Sequence, residues 1–282
     1  MRLASFRIGD RDTWGMVEGD QVLDLGNVFG ERFNGLRSVI AAGAYAELQA
    51  AAAAKAAKVP LVSVTLLPVI PDPGKILCIG LNYDTHRLET GREKSGYPAV
   101  FTRFADSQLG AGRPIVRPKV STQLDYEGEL AVIIGKGGRY IPASEAMAHI
   151  AGYACYNDAS IRDWQRHTHQ FTPGKNFPGT GAFGPWMVTS EEIPDVTSLS
   201  LTTRLNGQVV QQARLDQLIF PIPELIAYCS SFTPLAPGDV IATGTPGGVG
   251  ARREPPLWMK AGDRVEVEIS GVGRLENSIE DE

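Results

Sequence analysis

The stretch that decides the fold is residues 125–134, which read Asp125-Tyr126-Glu127-Gly128-Glu129-Leu130-Ala131-Val132-Ile133-Ile134. Its apolar second half predicts a buried strand. Side chains alternate along a strand, so Glu127 and Glu129 are predicted to share one face, about 7 Å apart along the backbone. A solvated face would tolerate two neighbouring carboxylates. A strand that continues into Val-Ile-Ile enters a core, however, where two adjacent anions need a cation.

A third carboxylate, Asp158, follows the apolar stretch 151–157. Three carboxylates without clustered Cys or His form a hard oxygen donor set, which suits Mg²⁺ or Mn²⁺ better than zinc. A second interpretation of Asp158 is the N-cap of a short helix, and one residue can serve both roles. His167 and His169 lie between Arg166 and Gln170 in a polar loop, and we predict that they are not metal ligands.

The segment 80–91 contains a possible acid–base pair. His86 and Glu89 are three residues apart, so on a helical turn they share a face. A carboxylate in that position can orient an imidazole and hold it as a general base. An ordinary surface pair with the same spacing is the alternative interpretation.

Two further segments supply polar groups. Lys175 stands among Gly, Phe and Pro residues and is predicted to stabilise a developing oxyanion, with a surface-loop lysine as the alternative. Residues 237–250 predict a turn, a buried strand and a glycine-rich loop whose backbone can approach a ligand closely; a plain turn connection is the alternative. This loop lacks the Gly-Lys-Ser/Thr ending and the following helix of nucleotide-binding loops.

Composition changes near residue 70, which predicts a small N-terminal α+β domain (1–70) and a larger domain (71–282). Residues 1–25 predict two or three short strands. The alanine-rich residues 36–57 predict one or two helices ended by Pro60, with a low-complexity linker as the alternative. Three prolines and a glycine in residues 67–74 mark the boundary.

The larger domain is predicted to be mostly β, because it shows no regular alternation of strands and helices. Strands are predicted at 76–79, 99–101, 126–134, 151–156, 186–188, 199–205, 240–242 and 264–269, and helices at 143–149 and 223–232. The predicted fold class is therefore α+β, mostly β.

Composition also limits the classes of function. Of the 282 residues, 43% are hydrophobic and 21% charged, as in a folded globular protein. The net charge of −5 and the lack of a basic block argue against a nucleic-acid partner. No signal segment and no apolar run of about 18 residues is evident, so the expectation is a cytoplasmic protein without a membrane partner. The three scattered cysteines indicate neither a disulfide framework nor a thiolate zinc site.

The order of the motifs resembles the fumarylacetoacetate hydrolase family, in particular its bacterial acylpyruvate hydrolase-like members. The motifs are Gly-Leu-Asn-Tyr followed by His and Glu (80–89), Asp-Tyr-Glu-Gly-Glu-Leu (125–130), Asn-Asp-Ala-Ser-Ile-Arg-Asp-Trp-Gln (157–165), Gly-Lys-Asn-Phe (174–177), and Gly-Asp-Val-Ile-Ala-Thr-Gly-Thr-Pro-Gly-Gly-Val-Gly (238–250). The resemblance covers about residue 75 to residue 282.

This resemblance implies a C-terminal mixed β-sandwich roll, assembled as a homodimer, behind a small variable N-terminal domain. It also implies Mg²⁺ or Mn²⁺ as cofactor and a small 2-oxo or β-diketo acid as substrate. The residues that it assigns are the metal ligands Glu127, Glu129 and Asp158, the catalytic residues His86, Glu89, Lys175 and Gln165, and the substrate contacts Gly244 and Thr245.

Two positions depart from the family pattern. Many relatives carry Asp where this chain has Pro178, and many carry Lys where it has Arg103. Arg103 is expected near the pocket and is predicted to bind substrate. Both departures leave the identity of the substrate open.

The function that this resemblance implies is metal-dependent hydrolysis of a C–C bond in an acylpyruvate, such as fumarylpyruvate, maleylpyruvate or a diketo sugar acid, during the breakdown of aromatic compounds or sugar acids. The products would be pyruvate and a carboxylic acid. An oxaloacetate-type decarboxylase or keto–enol tautomerase on the same site is the alternative. A non-catalytic protein that binds a 2-oxo acid is an alternative of another class, and the complete set of site residues argues against it.

Overall fold

The computed structural model describes residues 1–52 and 56–282. Its N-terminal elements are β1 (Arg2–Ile8), β2 (Arg11–Glu18), β3 (Gln21–Asp24), α1 (Gly26–Phe29), α2 (Leu36–Ala42), α3 (Tyr45–Ala52), β4 (Ala57–Pro60) and β5 (Thr65–Leu66). The strands predicted over residues 1–25 are β1 to β3. Gly9 and Gly19 join them with φ angles of 56° and 59°, which glycine adopts without strain.

The alanine-rich segment forms α2 and α3, which are separated at Gly43, where φ is 60°. Residues 53–55 of the predicted helical segment lie outside the described residues. The predicted end of that segment at Ala57 is wrong, because Ala57 begins β4 and pairs with Asp24 of β3.

Short strands dominate the rest of the chain. Its elements are β6 (Ile76–Gly80), α4 (Asp84–Glu89), β7 (Ala99–Arg103), β8 (Gln108–Leu109), β9 (Ile115–Arg117), β10 (Leu124–Asp125), β11 (Gly128–Ile134), β12 (Ile150–Asp158), β13 (Ser160–Ile161), α5 (Arg162–Gln165), α6 (Thr172–Lys175), β14 (Gly181–Thr189), β15 (Ser200–Leu205), β16 (Gln208–Arg214), α7 (Ile222–Phe232), β17 (Val240–Ala242), β18 (Arg264–Ile269) and β19 (Gly273–Asp281). No helix in the described part of the chain has the length and apolar character needed to cross a bilayer.

The predicted strands are all present, but the helix predicted over 143–149 is wrong. Only a single 3-10 turn forms there, at Ala146–His149, and the His149 carbonyl accepts hydrogen bonds from the backbone of Gly135 and Lys136 instead of continuing a helix. Sequence reasoning also missed β16 and β19. Four of the seven residues of β16 are polar, and even the inward positions of β19 include a polar residue, Asn277.

Most strands belong to one large mixed sheet, in the order β4-β3-β2-β1-β14-β12-β11-β17-β6-β7. A second sheet, β16-β15-β18-β19-β9, packs against one of its faces. The N-terminal strand β1 pairs with β14, so the large sheet runs through both predicted domains. The domain boundary near residue 70 stays a prediction.

Alternation along β11 separates two cores. Leu130, Val132 and Ile134 pack with the second sheet, whereas Ala131 and Ile133 pack on the other face with the N-terminal part. Gly128 faces the second sheet, and a Cβ atom there would stand 2.1 Å from Oγ1 of Thr203. Close packing of the two sheets therefore requires a residue without a side chain at position 128.

The topology brings four chain segments to one edge of the large sheet. β6 and β17 are parallel neighbours, β11 is antiparallel to β17, and β12 is antiparallel to β11. The ends of β6, β12 and β17 therefore meet the start of β11 at the same edge. The motifs that follow or precede those strands, 80–89, 125–129, 157–165 and 243–250, gather there.

Candidate functional site

Three buried carboxylates meet at this edge of the sheet. Glu127, Glu129 and Asp158 each contribute one oxygen, and these oxygens lie within 4.8 Å of one another. The register explains the arrangement, because Gly128 pairs with Asn157 and the amide of Asp158 donates to the Glu127 carbonyl at 2.9 Å. The sequence prediction that these residues converge is confirmed as geometry; their role as metal ligands stays a prediction.

Cations of the chain neutralise two of the three carboxylates. Lys175 Nζ donates to Glu127 Oε2 at 2.6 Å and to Asp158 Oδ2 at 2.7 Å. Arg162 lies 2.6 Å from the other oxygen of Glu127, and Arg103 donates to Asp158 Oδ1 at 2.6 Å. Although burial opposes ionisation, Arg162 and Lys175 lower the pKa of Glu127 to about 2. The same carboxylates raise the pKa of buried Lys175.

The third carboxylate lacks such a partner. Glu129 is 1% exposed, and its one hydrogen bond among the described residues comes from the amide of Gly244, at 2.8 Å. Burial, together with the anions of Asp158 and Glu127, raises the pKa of Glu129 well above its ordinary value. A divalent cation would supply the missing positive charge, and three carboxylate oxygens are the donors that Mg²⁺ and Mn²⁺ prefer. The residues therefore fit the predicted ion.

The predicted acid–base pair lies on α4. His86 Nδ1 donates to Glu89 Oε1 at 2.6 Å, while Glu89 Oε2 accepts the amide of Gly248 at 2.8 Å. The bond to a carboxylate places the proton on Nδ1 and leaves the lone pair on Nε2. Because His86 is only 7% exposed, the pair is not an ordinary surface pair.

The glycine-rich loop after β17 holds the site from a third side. Gly244 has a φ of 106°, and a Cβ atom there would stand 2.7 Å from Cβ of Asn82. Thr245 Oγ1 donates to the Gly128 carbonyl at 3.0 Å and accepts from Gln211 Nε2 at 2.8 Å. This loop is thus fixed by packing and hydrogen bonds, and its backbone anchors Glu129.

A cavity opens onto these groups. The predicted site residues that line it are His86, Glu127, Glu129, Gln165, Lys175 and Thr245. Apolar walls come from Ile79, Leu81, Phe101, Phe171 and Val249. The structure therefore places the imidazole, two of the carboxylates and the lysine around the same space.

Other predicted residues lie behind the cavity. The Arg103 side chain is fully buried between Asp158 and Thr180 Oγ1, to which Nη2 donates at 2.6 Å, and it does not line the cavity. Glu89 and Gly244 do not line the cavity. Glu89 is hydrogen-bonded to His86, which lines it, and the Gly244 amide is hydrogen-bonded to Glu129, which also lines it. The rings of His167 and Trp164 lie 4.9 Å apart, and both His167 and His169 are exposed.

Sequence reasoning missed several residues of the site. Arg162 bridges Asp125 and Glu127 and donates from Nη1 to Gln165 at 2.8 Å. Its Nη2 is buried and has no hydrogen-bond partner among residues 1–52 and 56–282. Arg162 and Gln165 are three residues apart, as His86 and Glu89 are. This helical spacing was the feature of the sequence that could have indicated Arg162 as a site residue. Three exposed arginines, Arg92, Arg166 and Arg252, also line the cavity, and no pattern in the sequence distinguishes them from other surface arginines.

Comparisons with known proteins agree with this architecture. Residues 75–280 match the family model described as fumarylacetoacetate (FAA) hydrolase C-terminal. The chain is 41% identical over 239 residues to the human mitochondrial oxaloacetate tautomerase FAHD2A, covering 83% of this chain and 76% of that protein.

Solved structures match the whole chain. A protein described as a putative HpcE protein from Mycobacterium smegmatis is 36% identical, with a TM-score of 0.88 and coverage of 100% of this chain and 99% of that chain. Maleylpyruvate hydrolase from Sphingobium sp. SYK-6, in complex with manganese(II) and pyruvate, is 29% identical, with a TM-score of 0.84 and the same coverage. The chain belongs to the fumarylacetoacetate hydrolase family.

Proposed function

We propose that this protein is a metal-dependent enzyme that interconverts the keto and enol forms of a 2-oxo acid of the oxaloacetate type. The observation that carries this proposal is that the His86–Glu89 pair opens onto the same cavity as Glu127 and Glu129. A base and a cation site on one small space are what enolisation next to a carbonyl requires. The 41% identity to an oxaloacetate tautomerase supports this choice of substrate over an acylpyruvate.

Glu127, Glu129 and Asp158 would hold Mg²⁺ or Mn²⁺. When bound, such an ion acts as a Lewis acid, polarising the 2-oxo carbonyl and orienting the acid. The chain supplies the proton chemistry. Salt bridges to Glu127 and Asp158 hold the Lys175 side chain in position, and its positive charge stabilises negative charge on the substrate oxygens.

His86 moves the proton. Nδ1 keeps its proton and donates a hydrogen bond to Glu89, so the unprotonated Nε2 is the atom that takes a proton from the carbon next to the 2-oxo group. The C–H bond breaks, its electrons form the enolate, and the proton then passes to the enolate oxygen to give the enol. Returning the proton to carbon reverses the reaction, so no other reactant is needed. Glu89 stabilises the imidazolium that forms between the two steps.

Polar groups around the cavity hold the substrate. Arg162 and Gln165 lie side by side on α5, and the free Nη2 of Arg162 is a buried donor that a substrate oxygen can satisfy. Thr245 also lines the cavity. Arg103 and Gly244 act through Asp158 and Glu129 rather than on the substrate, because neither lines the cavity.

Hydrolysis of a C–C bond in an acylpyruvate is the second candidate. The full-length match to maleylpyruvate hydrolase favours it, as does the His86–Glu89 pair, which suits activation of water. In that reaction His86 takes a proton from water, hydroxide adds to the distal carbonyl, and the C–C bond breaks. The pyruvate enolate that leaves then takes the proton.

One assay separates these activities. The protein is supplied with Mn²⁺ or Mg²⁺ and given oxaloacetate, and the enol absorbance, the total oxaloacetate and the released pyruvate are followed together. If the protein is a tautomerase, the enol absorbance reaches its equilibrium value faster than it does without protein, while total oxaloacetate stays constant. Loss of oxaloacetate with release of pyruvate would show decarboxylation instead.

The same preparation is then given maleylpyruvate, fumarylpyruvate and acetylpyruvate. Release of pyruvate from any of them at a rate above that of oxaloacetate enolisation would favour the hydrolase. The His86→Ala variant, which lacks the proposed base, is the negative control and should show none of these activities. If the protein binds these acids in a metal-dependent way but converts none of them, the proposal is wrong and the protein is a non-catalytic 2-oxo acid binding protein.

A further inference from the structure

The mouth of the cavity carries positive charge that the described part of the chain leaves without a counter-ion. Arg92, Arg166 and Arg252 line the cavity and are exposed, and none of them forms a salt bridge or a side-chain hydrogen bond among the described residues. They come from three segments that are distant in sequence, after α4, after α5 and after the glycine-rich loop. Their convergence is therefore produced by the fold.

Two of these arginines, Arg166 and Arg252, lie close enough for their charges to repel each other. Burial, then the charges of Arg162 and Arg252, lowers the pKa of Arg166. Arg162 differs from the three at the mouth because Asp125 and Glu127 neutralise it. A set of like charges around an opening is unfavourable unless an anion joins it.

The cavity thus has two ends of opposite character. Its buried end presents Glu127 and Glu129, which suit a cation that binds the 2-oxo carboxylate group, and its open end presents Arg92, Arg166 and Arg252. A substrate with one carboxylate would leave the open end without a partner. A substrate with a second carboxylate at its far end satisfies both.

Resting on the proposed function, we infer that the enzyme is specific for 2-oxo dicarboxylic acids and that Arg166 and Arg252, assisted by Arg92, bind the distal carboxylate. Guanidinium groups match a carboxylate with two parallel hydrogen bonds, which a lysine cannot do. Arg166 and Arg252 carry the inference because both line the cavity, both are exposed, and their charges act on each other.

The test measures binding rather than turnover. In the presence of Mn²⁺, isothermal titration calorimetry compares 2-oxoglutarate with 2-oxopentanoate, which has the same number of carbons but lacks the distal carboxylate. Oxalate serves as a probe of the buried end alone. The variants are Arg166→Gln, Arg252→Gln and the double variant. Arg113→Gln is the matched control, because Arg113 is exposed, has no ion pair among the described residues and lies outside the cavity.

We expect the unaltered protein and Arg113→Gln to prefer the diacid by at least about tenfold. Each single variant should lose about threefold to tenfold of that preference, and the double variant nearly all of it. Oxalate binding should change by less than about twofold throughout. An unaltered protein that does not prefer the diacid, or a double variant that keeps the preference while oxalate still binds, overturns the arginine assignment alone. Failure of oxalate to bind overturns the metal site and the inference with it.

Discussion

At the scale of single residues, Glu127 and Glu129 are neighbouring buried carboxylates that differ in their charged partners. In the described part of the chain, cationic side chains neutralise Glu127 but not Glu129. Glu127 accepts from Lys175 and faces Arg162, whereas the only hydrogen bond to the Glu129 carboxylate from the described residues is that of the Gly244 amide. Removing a paired buried charge leaves its partners uncompensated, but removing an unpaired one relieves repulsion. The same substitution at the two positions should therefore affect stability differently.

Without metal, we expect Glu127→Gln to lower the free energy of unfolding by about 3–5 kcal/mol, because buried Arg162 and Lys175 then lack part of their counter-charge. Glu129→Gln should leave the unfolding free energy within about 1 kcal/mol or raise it. Urea unfolding in the presence of a chelator measures both. Both variants should lose the stabilisation that added Mn²⁺ gives the unaltered protein. Equal destabilisation by the two substitutions would contradict this account of the charges.

The function of Glu89 depends on both of its oxygens. One accepts from His86 and the other from the amide of Gly248. A glutamine either loses one of these bonds or donates from its amide nitrogen to His86 Nδ1, which moves the imidazole proton to Nε2 and removes the base. Glu89→Gln should lower kcat for oxaloacetate enolisation about 10- to 100-fold and change KM less than about threefold. Glu93→Gln is the control, since Glu93 is exposed and has no ion pair in the described part of the chain. A change in KM alone would assign Glu89 to substrate binding.

The sequence predicted which of these residues lie close together because their spacing carries that information; their roles stay predictions. Alternation places Glu127 beside Glu129, and helical spacing places His86 beside Glu89, so local geometry suffices. Arg103 was predicted as a substrate contact, yet the structure encloses it behind Asp158, fifty-five residues away in the chain. A contact of that range depends on which strands become neighbours, and one sequence does not contain that pairing in any local pattern.

At the scale of elements, the close approach of the two sheets rests on Gly128. A Cβ atom at this position would lie 2.1 Å from Thr203 Oγ1 and 3.4 Å from Thr203 Cβ, and both residues are buried. Gly128→Ala should therefore lower the free energy of unfolding by about 3 kcal/mol through overpacking. Chemical unfolding monitored by circular dichroism measures the loss.

A second substitution tests the cause. Thr203→Ala removes the nearest atom, so the variant that combines Gly128→Ala with Thr203→Ala should be more stable than Gly128→Ala alone. Gly96→Ala serves as control, because a Cβ atom there meets nothing within 4 Å and the residue has no left-handed φ. A double variant as unstable as the single one would show that the cost lies in the β11 backbone rather than in the contact between sheets.

The elements show where prediction from sequence stops. Runs such as Ile76–Gly80 and Val240–Ala242 are apolar throughout, and the sequence predicted them as strands. β19 escaped because one of the inward positions of its alternating pattern is occupied by a polar residue, Asn277, which donates to the Gly110 and Arg113 carbonyls. Its stabilisation comes from long-range hydrogen bonds that hydrophobic patterns do not reveal.

At the scale of the whole molecule, the N-terminal part and the rest of the chain are joined more closely than the proline-rich segment 67–74 suggested. β1 continues the large sheet through β14, and Ser5 Oγ donates to the Val69 carbonyl at 2.9 Å. One core cluster contains Leu3 and Leu36 together with Ala131 and Phe183. The face of β11 that ends in Glu129 is thus covered by the N-terminal part. The expected homodimer and the expected cytoplasmic location stay predictions.

This arrangement predicts the behaviour of the larger part alone. A variant limited to residues 71–282 would expose Ala131, Ile133 and Phe183 to water and leave an edge of β14 unpaired. We expect this variant to aggregate or to unfold without a cooperative transition, and to lose Mn²⁺-dependent stabilisation, because the buried setting of Glu129 depends on the covered face. Analytical ultracentrifugation and thermal unfolding with and without Mn²⁺ measure these properties against the full chain. A monodisperse variant that unfolds cooperatively and still gains stability from Mn²⁺ would establish residues 71–282 as an independent domain, and the second core would then be a docking interface rather than part of the fold.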